Sequence, residues 1–293
     1  RDLFVGNCAM KLSTSNHILK CCLFSLGMRR FKSFYCTVSS RNTEFKMSMV
    51  PNSNNPSFSE AEQGRQSLRL KVRQHVNPLS SKYQVPTALP ADWIQQAFDN
   101  VNRPLIVDIG CAKGSWALNM ASNHTNDLNL LGLEIRRPVV DLCLRRKASS
   151  GLRNVHFLSV NANVDLTEIL SSLQKLSIPI DTVTIQFPDP HFKSKHKKRR
   201  VVNAGLVSCI AKFTSQIGSR VFLQSDIEEL QCDMVDHFEK SGYFDLVEGY
   251  DSAKLGENVN PFEEKTEREI ATYAKGLPVF RMLYRRNTQP FDT

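Results

Sequence analysis

The stretch Gln186–Arg200 combines residue types that could do chemistry on a charged substrate. Asp189 lies between Pro188 and Pro190, which fix the backbone on both sides and prevent a helix or strand from continuing there. Behind this turn come six cations within eight residues: Lys193, Lys195, Lys197, Lys198, Arg199 and Arg200. A carboxylate on a stiff turn beside dense positive charge indicates a reaction next to a polyanion, although a solvated basic surface is the simpler alternative.

The charge distribution favours a local basic patch over a generally basic protein. The 293-residue chain has a net charge of +9, and residues 1–57 contain eight Lys or Arg but only two acids. The six cations of Lys193–Arg200 exceed the net positive charge of residues 58–293, so the other residues of that domain are together slightly acidic. No apolar run approaches the ~18 residues of a membrane span. We therefore expect a soluble protein whose basic patch contacts nucleic acid.

Residues 1–57 have the composition of a targeting segment. They are rich in Ser, Asn and Arg and lack a core periodicity, which is typical of an organellar transit peptide. We expect a disordered tail over 1–57 and one domain over 58–293, located in a chloroplast or mitochondrion, with a cytoplasmic location as the alternative. The eight cysteines show no C-x-x-C spacing, so no metal site is expected.

The body of the chain alternates strand-like and helix-like segments, which predicts an α/β fold with a mostly parallel sheet. The expected strands are Leu105–Ile109, Leu128–Ile135, Val155–Val160, Thr182–Phe187, Arg220–Gln224, Phe244–Val247 and Pro278–Arg285. Ligands of such sheets bind at the carboxyl ends of the strands. The residues that follow each strand are therefore the candidates for a site.

Three successive strand ends offer groups that suit a cofactor containing adenosine. Asp108 and Gly110 end the first strand and Gly114 opens a helix, so the backbone can approach a ligand beside free N–H groups. Glu134 ends the second strand and could accept hydrogen bonds from a ribose. The turn after the third strand, which could contact adenine or be a plain turn, consists of Asn161, Ala162 and Asn163.

Further along the chain, polar residues have both functional and structural interpretations. Asp226 follows the fifth strand and could contact substrate or cap a helix over Ile227–Lys240. Lys265–Glu269 is expected to be a polar loop whose Thr266 and Glu269 have no core to fill. Near the start of the body, His75 could contact a ligand, but a single histidine in a loop is more often a surface residue, and it is interpreted as one.

Five motifs, taken in this order, resemble those of the bacterial-type tRNA (guanine-N7)-methyltransferases: DIGCAKG, GLEI, NAN, FPDPHFKSKHKKRR and TERE. The resemblance covers roughly Leu70 to Arg286, and the segment RQHVNPLSSKY resembles the plant and cyanobacterial branch. It implies a Rossmann-like S-adenosylmethionine-dependent methyltransferase with a seven-stranded, mostly parallel sheet whose last strand is antiparallel. Two positions depart from the family pattern, since Ala112 replaces a common glycine and His191 a common tryptophan.

The resemblance also implies roles for the candidate residues. Asp189 would be catalytic. The cofactor, S-adenosylmethionine, would be bound by Asp108, Gly110, Gly114, Glu134, Asn161, Ala162 and Asn163. The substrate would be bound by Lys193, His196, Arg199, Arg200, Asp226, Thr266 and Glu269. The implied substrate is tRNA, methylated at N7 of the guanosine at position 46 of the variable loop, with no obligate protein partner.

Other functions use parts of the same pattern. An NAD-dependent oxidoreductase would favour glycine at position 112 and has no use for the cations. A methyltransferase of exocyclic amines usually has Asp/Asn-Pro-Pro before an aromatic residue, which Asp189, Pro190 and His191 do not match. A non-catalytic RNA-binding protein with this fold and a methyltransferase of another RNA remain alternatives.

Overall fold

The chain divides into two units, Arg1–Arg69 and Leu70–Thr293. The computed structural model describes residues 18–19, 36–37, 72, 75–214 and 218–291. In the first unit, strands β1 (Ile18–Leu19) and β2 (Cys36–Thr37) pair antiparallel. The rest of the expected tail over 1–57 lies outside the described residues, so its disorder and its targeting role stay predictions.

The second unit is built on a seven-stranded sheet. Its strands are β3 (Leu105–Ile109), β4 (Asn129–Glu134), β5 (Val155–Ser159), β6 (Ile180–Gln186), β7 (Arg220–Ser225), β8 (Phe244–Leu246) and β9 (Phe280–Arg286). The strand order is β5-β4-β3-β6-β7-β9-β8. The first five strands pair in parallel, and β9 is antiparallel to both of its neighbours. The predicted mostly parallel sheet with an antiparallel last strand is confirmed.

Helices and short 3-10 turns connect these strands. The helices are α1 (Trp93–Ala97), α2 (Ser115–Asn123), α3 (Arg137–Ser150), α4 (Ala162–Lys175), α5 (Ala204–Phe213), α6 (Glu228–Ser241) and α7 (Glu267–Tyr273). The 3-10 segments are Ser81–Tyr83 and Ser194–Arg199. Within the described residues, no helix is both long and apolar enough to span a bilayer.

The sheet is buried on both faces because apolar side chains alternate between two cores. All five residues of β3 are buried. Leu105, Val107 and Ile109 pack in the larger core, whereas Ile106 packs in the smaller one with helices α2 and α3. Side chains two apart on a strand share a face, so Asp108 lies on the face of Ile106. This face carries the polar residues of the candidate site.

Candidate active site

The turn between β3 and α2 has the open backbone that a ligand requires. Gly110 has φ +86° and Gly114 has φ +69°, a left-handed region that costs other residues about 1–2 kcal/mol. A Cβ on Gly110 would meet no atom within 4 Å, but on Gly114 it would lie 2.7 Å from Phe157. Ala112 also adopts a left-handed conformation, with φ +47°, so the turn forms although alanine replaces glycine.

Side chains of α3 hold the carbonyl groups of this turn in place. The Cys143 thiol donates to the Ala112 carbonyl over 3.3 Å. The Arg146 guanidinium donates to the Lys113 carbonyl over 3.0 Å and to the Ser115 hydroxyl over 3.0 Å. The turn is therefore preorganised by its neighbours before any ligand binds.

Two buried carboxylates flank this turn on the adjacent strands β3 and β4. Asp108 is 4% exposed and accepts hydrogen bonds from Thr184 over 2.7 Å and Gln186 over 3.4 Å. Glu134 is 5% exposed and accepts three hydrogen bonds of 2.9 Å from Arg136, through its amide and its guanidinium. Because a carboxylate has about four acceptor sites, Glu134 keeps acceptor capacity for a ribose hydroxyl.

Asp108 makes the stability of the protein depend on pH. Burial raises its pKa from 3.8 to about 6, so the folded state keeps a proton that the unfolded state loses. The stabilisation is fully present below pH 3.8 and is lost as the pH rises through about 6. Asp108→Asn mimics the protonated form. We expect the free energy of unfolding of this variant, relative to the wild type, to rise by on the order of 2–3 kcal/mol as the pH increases from 4 to 7. Urea denaturation across this range measures the difference, and a difference that does not change with pH would contradict it.

A cavity of about 710 Å³ lies beside the carboxyl ends of β4 and β5. The segment 76–87 forms one wall, and the other includes residues 135–138 and 159–161. Its volume falls within the range of about 300–1,000 Å³ that is common for small-molecule sites. Glu134 precedes this wall directly, so the cavity, the acid and the glycine turn fit the adenosine cofactor expected from the sequence.

The turn after β5 and the start of α4 hold the segment 76–87, one wall of this cavity, in place through hydrogen bonds. Asn161 caps α4 by accepting from the Asn163 amide over 3.2 Å, and its own amide donates to the carbonyls of Pro78 and Tyr83. The Asp165 carboxylate accepts from the Thr87 amide over 2.7 Å.

The neighbouring residues of the same turn also have protein partners. The Asn163 side chain donates to the Val201 carbonyl and accepts from Asn203, while Ala162 is half-buried. The two amide side chains thus bind protein groups, and contact of this turn with adenine stays a prediction.

Asp189 follows β6 on a strained turn. Phe187 and His191 have φ values of +50° and +44°, and such conformations cost non-glycine residues of order 1–3 kcal/mol each. Two hydrogen bonds stabilise this strained conformation. The Phe187 amide donates to the Gln224 carbonyl over 2.7 Å, and Arg200 donates to the Pro190 carbonyl over 2.9 Å. The Asp189 side chain remains 31% exposed, so a substrate can reach it.

Two histidines flank the Asp189 carboxylate. His75 Nδ1 lies 2.5 Å from one carboxylate oxygen, and His191 Nε2 lies 3.9 Å from the other. Burial lowers the pKa of His191. His75 is 62% exposed, in agreement with its interpretation as a surface residue, but no sequence pattern indicates its contact with Asp189. The pKa of Arg136 is raised, first by its hydrogen bonds to Glu134 and further by the negative charge of Asp189. The Arg136 guanidinium therefore interacts with both carboxylates.

The basic run is divided between exposed and paired cations. Lys193, Lys195 and Lys198 are exposed, and His196 and Arg199 are half-buried.

Lys197 and Arg200 bind acids of α6. The Lys197 amine lies 2.7 Å from Glu229. Arg200 differs from the expected substrate contact, because it is 4% exposed and pairs with Glu229 over 3.2 Å and Asp233 over 3.0 Å. Since it also binds the Pro190 carbonyl, Arg200 anchors the Asp189 turn on α6.

The three residues around α7 that were expected to bind substrate, Asp226, Thr266 and Glu269, all have protein partners. Asp226 does not cap α6, whose N-cap is Ile227, and its carboxylate instead pairs with Arg268 over 2.5 Å. Thr266 caps α7 by accepting from the Glu269 amide over 3.0 Å. The expected polar loop is wrong, because Thr266 caps a helix that begins at Glu267; the spacing Thr-x-x-Glu is that of a capping box, a pattern that starts helices.

Glu269 has a core position after all. It is fully buried, and its carboxylate accepts from Asn260 over 3.0 and 3.2 Å and from Arg281 over 2.9 Å. The sequence pattern does not reveal the contact of Arg281 with Glu269, because Arg281 is one of several polar residues in the predicted last strand. The partners of Glu269 come from separate segments, so this carboxylate joins the loop before α7 to β9, and its contact with substrate stays a prediction.

Comparison with known proteins agrees with this geometry. A family model described as "Putative methyltransferase" matches residues 102–282. A tRNA (guanine-N(7)-)-methyltransferase of Synechococcus elongatus is 46% identical over 224 residues, which cover 76% of this chain and 99% of that protein. The enzyme of the same name from Microcystis aeruginosa is 44% identical over 220 residues, which cover 74% of this chain and 98% of that protein.

Among solved structures, an antibiotic-related methyltransferase superposes with a TM-score of 0.42 at 18% identity, covering 69% of this chain and 97% of that one. The family assignment rests on the family model and on the relatives, which are matched over nearly their whole length. The chain is an S-adenosylmethionine-dependent methyltransferase and belongs to the tRNA (guanine-N7)-methyltransferase family.

Proposed function

We propose that this protein methylates N7 of guanine in tRNA, at the guanosine in position 46 of the variable loop. The observation that carries the proposal is the Asp189 turn. It presents a 31% exposed carboxylate at the carboxyl end of β6, directly before the exposed lysines of the basic run. The names of the relatives support tRNA as substrate and N7 as the methylated atom.

The cofactor site fits the methyl donor. Gly110 leaves open space where a side chain would stand, and Glu134 has acceptor capacity beside the 710 Å³ cavity. S-adenosylmethionine, when bound, supplies a methyl group on a positively charged sulfur. Gly110, Gly114 and Glu134 are the residues that would hold it, and the preorganised turn limits its motion.

Asp189 acts by stabilising charge. Guanine N7 has a free lone pair at neutral pH, so it needs no general base. The purine becomes positively charged as N7 gains the methyl group, and a carboxylate beside it stabilises this charge in the transition state. The strained turn between Phe187 and His191 fixes the carboxylate, so little reorganisation is needed when the charge develops.

The exposed lysines bind the backbone of the RNA. Displacing a stacked base costs a few kcal/mol, which phosphate contacts offset. Each phosphate contact contributes about 0.7–0.9 to the slope of log K against log salt. We expect Lys198→Ala to remove one phosphate contact and so to reduce the magnitude of this slope for tRNA by about 0.7–0.9.

Lys197→Ala is the matched control for this measurement. The Lys197 amine already lies 2.7 Å from Glu229, so its replacement should change the slope less. Filter binding of tRNA between 50 and 200 mM salt would measure both variants. Equal slopes in Lys198→Ala and the wild type would remove Lys198 from the RNA contacts.

The position of methylation is tested with two transcripts of the same tRNA. One carries guanosine at position 46 and the other carries adenosine there. Tritium transfer from labelled S-adenosylmethionine is expected only for the first. Equal transfer to both transcripts would refute position 46, and transfer to neither, with cofactor bound, would indicate another RNA substrate.

A further inference from the structure

A row of buried polar side chains crosses three neighbouring strands at the site edge of the sheet. Gln186 on β6 is the register partner of Gln224 on β7, and Gln224 is the register partner of Arg281 on β9. Their relative exposures are 9%, 0% and 4%. Burying polar groups is costly unless they are hydrogen-bonded, and apolar residues are usual at such positions. The row therefore requires an explanation.

Hydrogen bonds connect this row to the cofactor side of the site. Arg281 Nε donates to Gln224 Oε1 over 3.2 Å, and Gln224 Nε2 donates to Gln186 Oε1 over 2.7 Å. Gln186 Nε2 donates in turn to Asp108 Oδ1 over 3.4 Å. Each amide accepts on one side and donates on the other, so the chain of hydrogen bonds ends at the carboxylate beside the glycine turn.

At its other end the row holds the elements around α7. Arg281 Nη2 donates to Glu269 over 2.9 Å and also contacts the Tyr273 hydroxyl, both on α7. Its Nη1 donates to the Asn258 carbonyl over 3.1 Å, and its backbone amide donates to the Leu255 carbonyl over 2.9 Å. One guanidinium thus fixes both α7 and the loop that precedes it.

Helix α7 needs such support. It has seven residues, and isolated helices of this length are not stable in water. Its first turn and the loop before it are attached to α2, because Ser115 donates to Glu267 over 2.8 Å and Trp116 donates to the Glu264 carbonyl over 3.1 Å. Arg281 binds the side chains of Glu269 and Tyr273, beyond this first attachment.

We propose that Arg281 is a positioning residue for methyl transfer, which holds α7 and its preceding loop in register with Asp108 through Gln224 and Gln186. This proposal rests on the proposed function, since α7 carries Arg268, the partner of Asp226 on the substrate side. Arginine suits the role because its planar fork reaches several acceptors in fixed directions, whereas a lysine ammonium cannot.

The test is Arg281→Lys, which keeps the charge and removes the fork. We expect kcat to fall about ten-fold, because small misplacements near a reacting group have effects of this size or larger. The affinity for S-adenosylmethionine should stay within about two-fold, because Arg281 reaches Asp108 only through the side chains of Gln224 and Gln186. Hydrogen exchange should become faster in α7 and stay unchanged in β3–β7.

Arg286→Lys is the matched control. Arg286 lies on the same strand, is 3% exposed and donates to the carbonyls of Ala211 over 3.0 Å and Gln289 over 2.8 Å. It lies at the opposite end of β9 from Arg281. We expect both variants to have a lower Tm than the wild type, but the control should retain wild-type kcat and wild-type exchange in α7 when both are assayed well below their Tm.

The outcomes separate the positioning role from the proposed function. Wild-type kcat or wild-type exchange of α7 in Arg281→Lys would overturn the positioning role, and so would an equal loss of kcat in both variants. If the wild type does not methylate tRNA, the proposed function fails. Hydrogen exchange would still decide whether Arg281 holds α7, because it does not depend on turnover.

Discussion

Replacing Asp189 by asparagine is expected to lower kcat for tRNA methylation about 100- to 1,000-fold, the range found when one preorganised electrostatic group is removed. Asparagine keeps the shape of the side chain but loses the negative charge that stabilises the cationic purine. The affinity for tRNA should stay within about three-fold, because phosphate contacts supply most of the binding energy. Single-turnover rates and filter binding measure the two quantities separately.

Asp181→Asn is the matched control for this experiment. Asp181 lies at the start of β6, whereas Asp189 follows its end. The two side chains are similarly exposed, at 34% and 31%, and the Asp181 carboxylate is paired with Arg220 over 2.8 Å. We expect kcat of this control to stay within about two-fold of the wild type, since surface changes away from the site have small effects. Equal kcat in Asp189→Asn and the wild type would remove Asp189 from the mechanism.

Replacing Gly114 by alanine is expected to lower the free energy of unfolding by roughly 2–5 kcal/mol, the combined cost of left-handed backbone and overpacking. The φ of +69° disfavours any side chain, and the added Cβ would lie 2.7 Å from Phe157 and 3.1 Å from Cys143 Sγ. Both neighbours are buried, so neither can move aside freely. Denaturation in urea measures the loss.

Gly110→Ala separates the two causes. Its φ of +86° imposes a similar backbone cost, but the added Cβ would meet no protein atom within 4 Å. We expect a loss of only about 1 kcal/mol in stability. Affinity for S-adenosylmethionine should fall more clearly, because the Cβ would occupy space at the cofactor turn. Equal losses of stability in the two variants would show that contact with Phe157 does not matter.

The sheet could be predicted from the sequence because continuous apolar runs specify buried parallel strands. Leu105–Ile109 is both the predicted strand and the observed β3. The ends of strands are predicted less exactly where polar residues continue the hydrogen-bonded pairing of the sheet. For example, β6 begins at Ile180, two residues before the predicted start at Thr182, and includes Asp181, whose charge is paired with Arg220.

The sequence predicts that Gly110, Glu134 and Asp189 lie at or shortly after strand ends, and the structure places them there, whereas their roles in binding and catalysis stay predictions. The contact of His75 with Asp189 joins distant parts of the chain, and no local pattern predicts it. Thr266 and Glu269 carry the spacing of a capping box, but their polar surroundings favoured a loop. Burial of Arg200 depends on α6, which supplies both of its acids.

The most direct test of the central claim is chemical mapping of the methylated base. The full chain is incubated with unmodified tRNA transcript and S-adenosylmethionine, and the RNA is treated with borohydride and aniline, which cleave at 7-methylguanosine. The account predicts one cut, in the variable loop, which is strongly reduced with the Asp189→Asn protein. Bound cofactor without any cut, or methyl groups incorporated at a base that is not cleaved, would contradict it.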